Sequence, residues 1–229
     1  MLKSQGLNTI SQIYILISKD FRIEFRQRVL LSTLLLFVAS ACFSLYQVFF
    51  AARARVNPLV WIGLFWVLVL FSSFQAVSRT FNKEMDRLFW YYYFRVKPDV
   101  LILSKLLYHF LILNFIAWMA LFFLSVFFKN PIPDFGLFAL TVELACLGLA
   151  SGLTLVSALS AKAGKNAGLL PVLGFPLILP TLLLVIKLSV NALDQLGWDL
   201  ARPHIFSLLA LDTIMVALSF MLFPYLWRQ

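Results

Sequence analysis

Residues 100–128 read VLILSKLLYHFLILNFIAWMALFFLSVFF, 29 consecutive positions in which Lys105 and His109 are the only acidic or basic side chains. A helix needs about 20 residues to cross roughly 30 Å of hydrocarbon, so this stretch is long enough to span a bilayer. Five comparable apolar runs lie at Val29–Phe50, Pro58–Val77, Phe135–Ala161, Ala167–Val190 and Ile205–Trp227. Together with Val100–Phe128 they predict an all-α polytopic protein of six transmembrane helices. Composition points the same way: 62% of the 229 residues are apolar, 13% are charged, and the mean hydropathy is +0.92. A water-soluble domain needs more polar surface than this.

The net charge of +9 does not signal nucleic acid. The basic residues sit beside apolar spans, where Lys and Arg meet anionic headgroups, and no polar domain exists to read a groove. Cys42 and Cys146 lie within apolar runs and read as small core residues rather than as a disulfide or metal pair. No cleaved signal peptide is expected, because the first long apolar run follows a charged amphipathic stretch and is of full bilayer length.

That stretch, Ile10–Arg28, sets Ile10, Ile13, Tyr14, Ile17, Phe21 and Phe25 against Lys19, Arg22 and Arg26. Asp20/Glu24 and Glu24/Arg28 add four-residue spacings. One greasy and one charged face predict a helix lying in the headgroup plane. The expected organisation is an interfacial helix over residues 1–28 and a membrane domain over 29–229. Lys and Arg counted by side give thirteen on the face that carries the N-terminal segment and five on the other, which predicts both termini in the cytoplasm. Pro171, Pro176 and Pro180 predict a kinked or interrupted fifth span. The outer connection Asn191–Pro203 reads as a short interfacial helix. Trp61, Trp90–Tyr93, Trp118, Trp198, Tyr225 and Trp227 read as interface anchors.

Catalytic sets are missing. The chain contains no HExxH, GxSxG, CxxC or phosphate loop, and Ala163-Gly164-Lys165-Asn166 lacks the upstream Gly and the following Ser or Thr. The chain is therefore read as no enzyme, with any ATP hydrolysis in a separate subunit. Apart from Lys187, counted with the outer side at the end of the fifth span, the ionisable groups within spans are Lys105, His109, Glu143 and Asp212, costly to bury in lipid and either pathway-lining or packing residues. Lys105 is placed to snorkel to the headgroups. A lone His109 is more often a structural hydrogen-bonding group than an iron ligand. Gly148 and Gly152 form GxxxG, a close-packing signal. The charged stretch Phe81-Asn82-Lys83-Glu84-Met85-Asp86, between two spans, suits a lever that a partner ATPase pushes on.

At these residues the chain resembles the CcmB family, the haem exporter protein B of cytochrome c maturation. The resemblance rests on Asp20-Phe21-Arg22-Ile23-Glu24-Phe25-Arg26, on Pro58 and Trp61 running into Ser78-Arg79-Thr80-Phe81 and Glu84, and on Pro98 with Lys105. It continues through Gly168–Leu173, Phe175-Pro176-Leu177 and Pro180 to Ala210-Leu211-Asp212, Ala217–Phe220 and Leu222-Phe223-Pro224. The chain departs from the family at Arg87–Tyr93, aromatic where many relatives carry an acidic, Gly-containing turn.

The resemblance implies the permease subunit of an ABC-type haem exporter or haem-chaperone release complex in the bacterial inner membrane. It implies a homodimer with a CcmA-like ATPase that binds the ATP, CcmC-like and CcmD-like membrane proteins, and a CcmE-like haem chaperone. Haem would be substrate rather than a tightly bound cofactor. Asp20, Arg22, Glu24 and Arg26, with Phe81–Asp86, are the expected ATPase-coupling residues. The rival reading is the permease of another ABC exporter, moving lipid, glycan or drug.

Overall fold

The computed structural model describes residues 9–27, 29–78, 96–162 and 169–228, with the side chains of 27, 29, 30, 162, 169, 227 and 228 left aside. The lever stretch Phe81–Asp86 and the aromatic run Arg87–Tyr93 lie outside the described residues. Among those described, seven helices follow one another and no strand occurs: α1 Thr9–Gln27, α2 Val29–Ala51, α3 Pro58–Val77, α4 Pro98–Phe128, α5 Phe135–Lys162, α6 Leu169–Leu193 and α7 Trp198–Arg228. The last six are long and apolar enough to cross a membrane. The chain is an all-α polytopic membrane protein.

Local chemistry fixes the helix starts. Asn57 caps α3, its side-chain oxygen accepting from the Leu59 N–H at 2.9 Å, and Pro58 occupies the first turn, where no donor is needed. Asp134 caps α5 by accepting from the Leu137 N–H at 3.0 Å. Pro98 and Asp99 open α4, the acid favoured by the positive helix N-terminus.

Packing centres on α5. It buries 83% of its most apolar stretch, against 17% for α2 and 22% for α7. Its sequence explains this, because ELACLGLASGLTLVSALSA is rich in Ala, Gly and Ser, which let neighbouring backbones come close where no hydrophobic force drives helices together. Helices α4, α6 and α7 pack around it, α3 joins α4 and α6, and α2 leans on α4. Helix α1 lies against α4, with Leu16 in a small core with Val100, Leu101, Ile102, Ala158, Ala161 and Phe223.

Four expectations change. Trp61 is no interface anchor: it is 1% exposed and stacks in a cluster with Phe65 and Phe138, at 6.0 and 6.2 Å between ring centroids. Trp118 is partly buried and hydrogen-bonded, whereas Trp198 and Tyr225 do remain exposed. Of the kink or interruption expected in the fifth span, the interruption is absent, since one continuous helix runs through Pro176 and Pro180. Its three prolines face outward, where a lost backbone bond disturbs no helix contact, so close packing falls to the glycines. Finally, Asn191–Pro203 forms no separate helix. Helix α6 ends at Leu193, a turn with Gly197 at φ +83° follows, and Trp198–Pro203 is the first part of α7.

Candidate functional site

Among the described residues, three groups built on ionisable side chains each join two or three helices, beside a buried Trp66–Ser189 hydrogen bond of 2.9 Å between α3 and α6. The first ties α1 to the bundle. Lys105 on α4 is 2% exposed and donates to the Asp20 carboxylate at 2.7 Å. Lys19 reaches the other Asp20 oxygen at 3.0 Å. Lys105 therefore does not snorkel to the headgroups. Its ammonium stays inside because a carboxylate was brought to it, which offsets part of the cost of burying either charge.

The spacing on α1 shows how. Leu16, Asp20 and Glu24 recur every four residues and form one buried stripe along the helix. Phe21 adds an edge-on contact with Tyr108 at 5.2 Å. Arg22 and Arg26 stay exposed, as do Ile10, Tyr14, Ile15 and Phe25. Of the four α1 residues expected to couple to an ATPase, two face the bundle and two face outward.

One turn further along α4, His109 is buried against α5, its Nδ1 2.6 Å from the Thr154 hydroxyl oxygen. That hydroxyl donates to the Ala150 carbonyl at 2.5 Å, so the ring N–H supplies the proton of the shared contact. The arrangement locks the imidazole in one orientation between α4 and α5.

The second group lies further along α4. Asn114 and Trp118, four residues apart, both donate to Glu143 on α5, the Trp118 Nε1 at 3.1 Å. Both carboxylate oxygens thus have partners, and α4 and α5 are bridged again.

The third group is the centre of the molecule. Asp212 lies near the midpoint of α7 and is 1% exposed. Neither of its carboxyl oxygens has a hydrogen-bond partner among the described residues, and the Thr181 hydroxyl of α6 is likewise unpartnered. Gly148, near the midpoint of α5, makes the room. A Cβ placed there would strike the Asp212 carboxyl and come within 2.9 Å of the Thr181 methyl. Gly152, one turn on, meets Ile178 at an ordinary 3.4 Å. Three helices therefore bring an unpaired carboxyl and an unpaired hydroxyl to one glycine at mid-depth. Nearby, Ser219 on α7 donates to the Ser151 carbonyl of α5 at 3.3 Å.

Sequence reading singled out Lys105, His109, Glu143, Asp212 and both glycines but missed Thr154, Thr181, Asn114 and Trp118. Asn114 and Trp118, spaced by one helical turn, carried a usable signal. A hydroxyl residue such as Thr154 or Thr181 carries none, since its own helix satisfies it as readily as a neighbour does.

Comparison with curated proteins and with solved structures gave no match. The family model described as CcmB protein matches residues 11–225. That range takes in the inward-facing acids of α1, all six spans and every polar group just described. A match running from the first turn of α1 to the last turns of α7 covers nearly the whole bundle, and the chain belongs to the CcmB family.

Proposed function

We propose that this chain is the membrane-spanning permease subunit of an ABC-type exporter acting in haem delivery for c-type cytochrome assembly. The observation that carries the reading is the family match over residues 11–225, laid on six membrane-length helices. The sequence has no phosphate loop, so the energy comes from a separate ATPase subunit. In this reading the side bearing thirteen Lys and Arg faces the cytoplasm of a bacterial inner membrane, and both termini lie there.

The mechanism follows the polar ties. An ATPase docks on the outward Arg22 and Arg26 of α1 and on Phe81–Asp86. Its closure moves α1, and the Asp20–Lys105 pair passes the motion to α4. From α4 it reaches α5 through His109–Thr154 and Glu143, and α5 moves against α6 and α7 at the Gly148–Asp212 junction. Packed interfaces of this kind switch between discrete arrangements rather than deforming smoothly. The outward faces of α2, α6 and α7 leave room for a second copy and for CcmC-like and CcmD-like proteins, with a CcmE-like haem chaperone receiving the product of the cycle.

Affinity purification in mild detergent, with mass spectrometry of co-isolated subunits and a haem spectrum, tests the reading. Co-isolation of a nucleotide-hydrolysing subunit and cytochrome-assembly proteins is the expected result. Recovery with polysaccharide or lipid-export components, or with no ATPase at all, overturns it.

A further inference from the structure

The end of the bundle remote from α1, where α2 and α4 both finish, holds a groove of about 630 Å³ lined by residues 46, 49, 50, 53–56 and 125–129. Its walls are aromatic. Tyr46 lies 5.6 Å from Phe127 and 6.1 Å from Phe128, and Phe49 lies 5.8 Å from Phe128, ring centre to ring centre. Its rim is cationic: Arg53, Arg55 and Lys129 line it, and no carboxylate does. The Ser125 hydroxyl, also part of the lining, is buried without a hydrogen-bond partner among the described residues.

Three features make this more than a chance cluster. The side of the chain to which these residues belong carries only five Lys and Arg, namely Arg53, Arg55, Lys129, Lys187 and Arg202. Three of the five meet in this one groove. Backbone conformation is a second feature. Arg53 at φ +49° and Lys129 at φ +56° both hold positive φ, where an ordinary side chain is strained and Gly is not. A cation at a helix C-terminus is favoured by the helix dipole. That explains one cation for each of two helix ends, but not a third, nor the aromatic cavity beneath them. The third feature is access. Phe50 and Val126 of its lining are exposed apolar side chains, as are Phe43, Val48 and Phe122 on the same two helices, so it opens sideways on an apolar flank of the bundle.

We propose that this groove is a binding site for an anionic phospholipid. The headgroup phosphate sits among Arg53, Arg55 and Lys129, and the first part of an acyl chain lies along Tyr46, Phe49, Phe127 and Phe128. Guanidinium groups match phosphate oxygens in paired hydrogen bonds, which suits two arginines on one rim. The Ser125 hydroxyl offers a donor to an ester oxygen below the phosphate. A soluble anion would use the rim and leave the aromatic walls idle, whereas a lipid arriving from the bilayer uses both. This assignment stands independently of what the permease exports.

The test is lipid retention by the detergent-purified full-length chain, read by native mass spectrometry during titration with phosphatidylglycerol or with phosphatidylcholine of equal chain length. The expected result is preferential retention of phosphatidylglycerol, weakened by about tenfold or more when charge-assisted contacts are lost in Arg53→Asn/Lys129→Gly. Those two replacements suit a backbone at positive φ, so the variant should melt no lower than the parent while binding less lipid. Arg55→Gln, at a residue of ordinary backbone conformation, should weaken retention without touching the turns. Equal retention of the two lipids, or retention unchanged in both variants, overturns the site. Displacement of the lipid by inorganic phosphate at millimolar level would mark a soluble-anion site and overturn the lipid assignment.

Discussion

Lys105 and Asp20 hold each other inside the protein, and removing one takes a close counter-charge from the other. Truncation of one partner of a buried pair commonly costs about 3–5 kcal/mol, through the uncompensated charge left behind. Lys19, also 3.0 Å from Asp20 and partly exposed, softens that loss. Lys105→Ala should therefore destabilise by roughly 3 kcal/mol, toward the lower end of that range. Thermal unfolding in detergent reads the loss, and the exchange Asp20→Lys/Lys105→Asp should recover part of it. The two glycines of α5 make a second contrast. Gly148→Ala drives a methyl into the Asp212 carboxyl and should cost about 1–3 kcal/mol by overpacking. Gly152→Ala meets only Ile178 at 3.4 Å and should change the melting temperature little. A double-mutant cycle of Gly148→Ala with Asp212→Ala should show coupling, because removing the carboxyl empties the space the new methyl needs. Additive effects would mean the clash is relieved elsewhere.

Helix α1 shows how far pattern reading reaches along one element. The alternation of apolar and charged residues made its helical form legible. Which residues would face the bundle was not, since the inward stripe of Leu16, Asp20 and Glu24 mixes one apolar side chain with two acids. A polar stripe can face inward only when a buried cation such as Lys105 meets it, and that cation lies on another helix. The division of α1 into an inward acidic side and an outward basic side yields a prediction. Arg22→Glu/Arg26→Glu changes exposed residues and should alter stability by no more than about 0.5 kcal/mol. The same variant should sharply reduce co-purification of the ATPase subunit, measured as the subunit ratio in detergent. Undiminished association would remove the outward face of α1 from the docking surface. In α6 the prolines were visible in the sequence, but an unbroken helix with all three on its outward side was not.

For the whole molecule, orientation is open to direct measurement, and the chain is well suited to it. Its two native cysteines, Cys42 and Cys146, are fully buried. A single cysteine placed at Ala54 should react with a membrane-impermeant maleimide in intact cells, and one at Ser11 only after permeabilisation. The opposite pattern would invert the topology. Six spans, their approximate ends and the all-α architecture were determined by sequence alone, because the thickness of the hydrocarbon layer and the need to satisfy every backbone hydrogen bond act locally on each apolar run. Which helix lies at the centre, which tryptophan is core and which is rim, and which polar groups meet were decided only by the tertiary structure. In a bilayer the lipid-facing side of a helix is as apolar as the buried side, so periodicity does not reveal the packed face. The contacts that settle it, Lys105 with Asp20 and His109 with Thr154, join residues 85 and 45 positions apart, and only the assembled bundle brings them together.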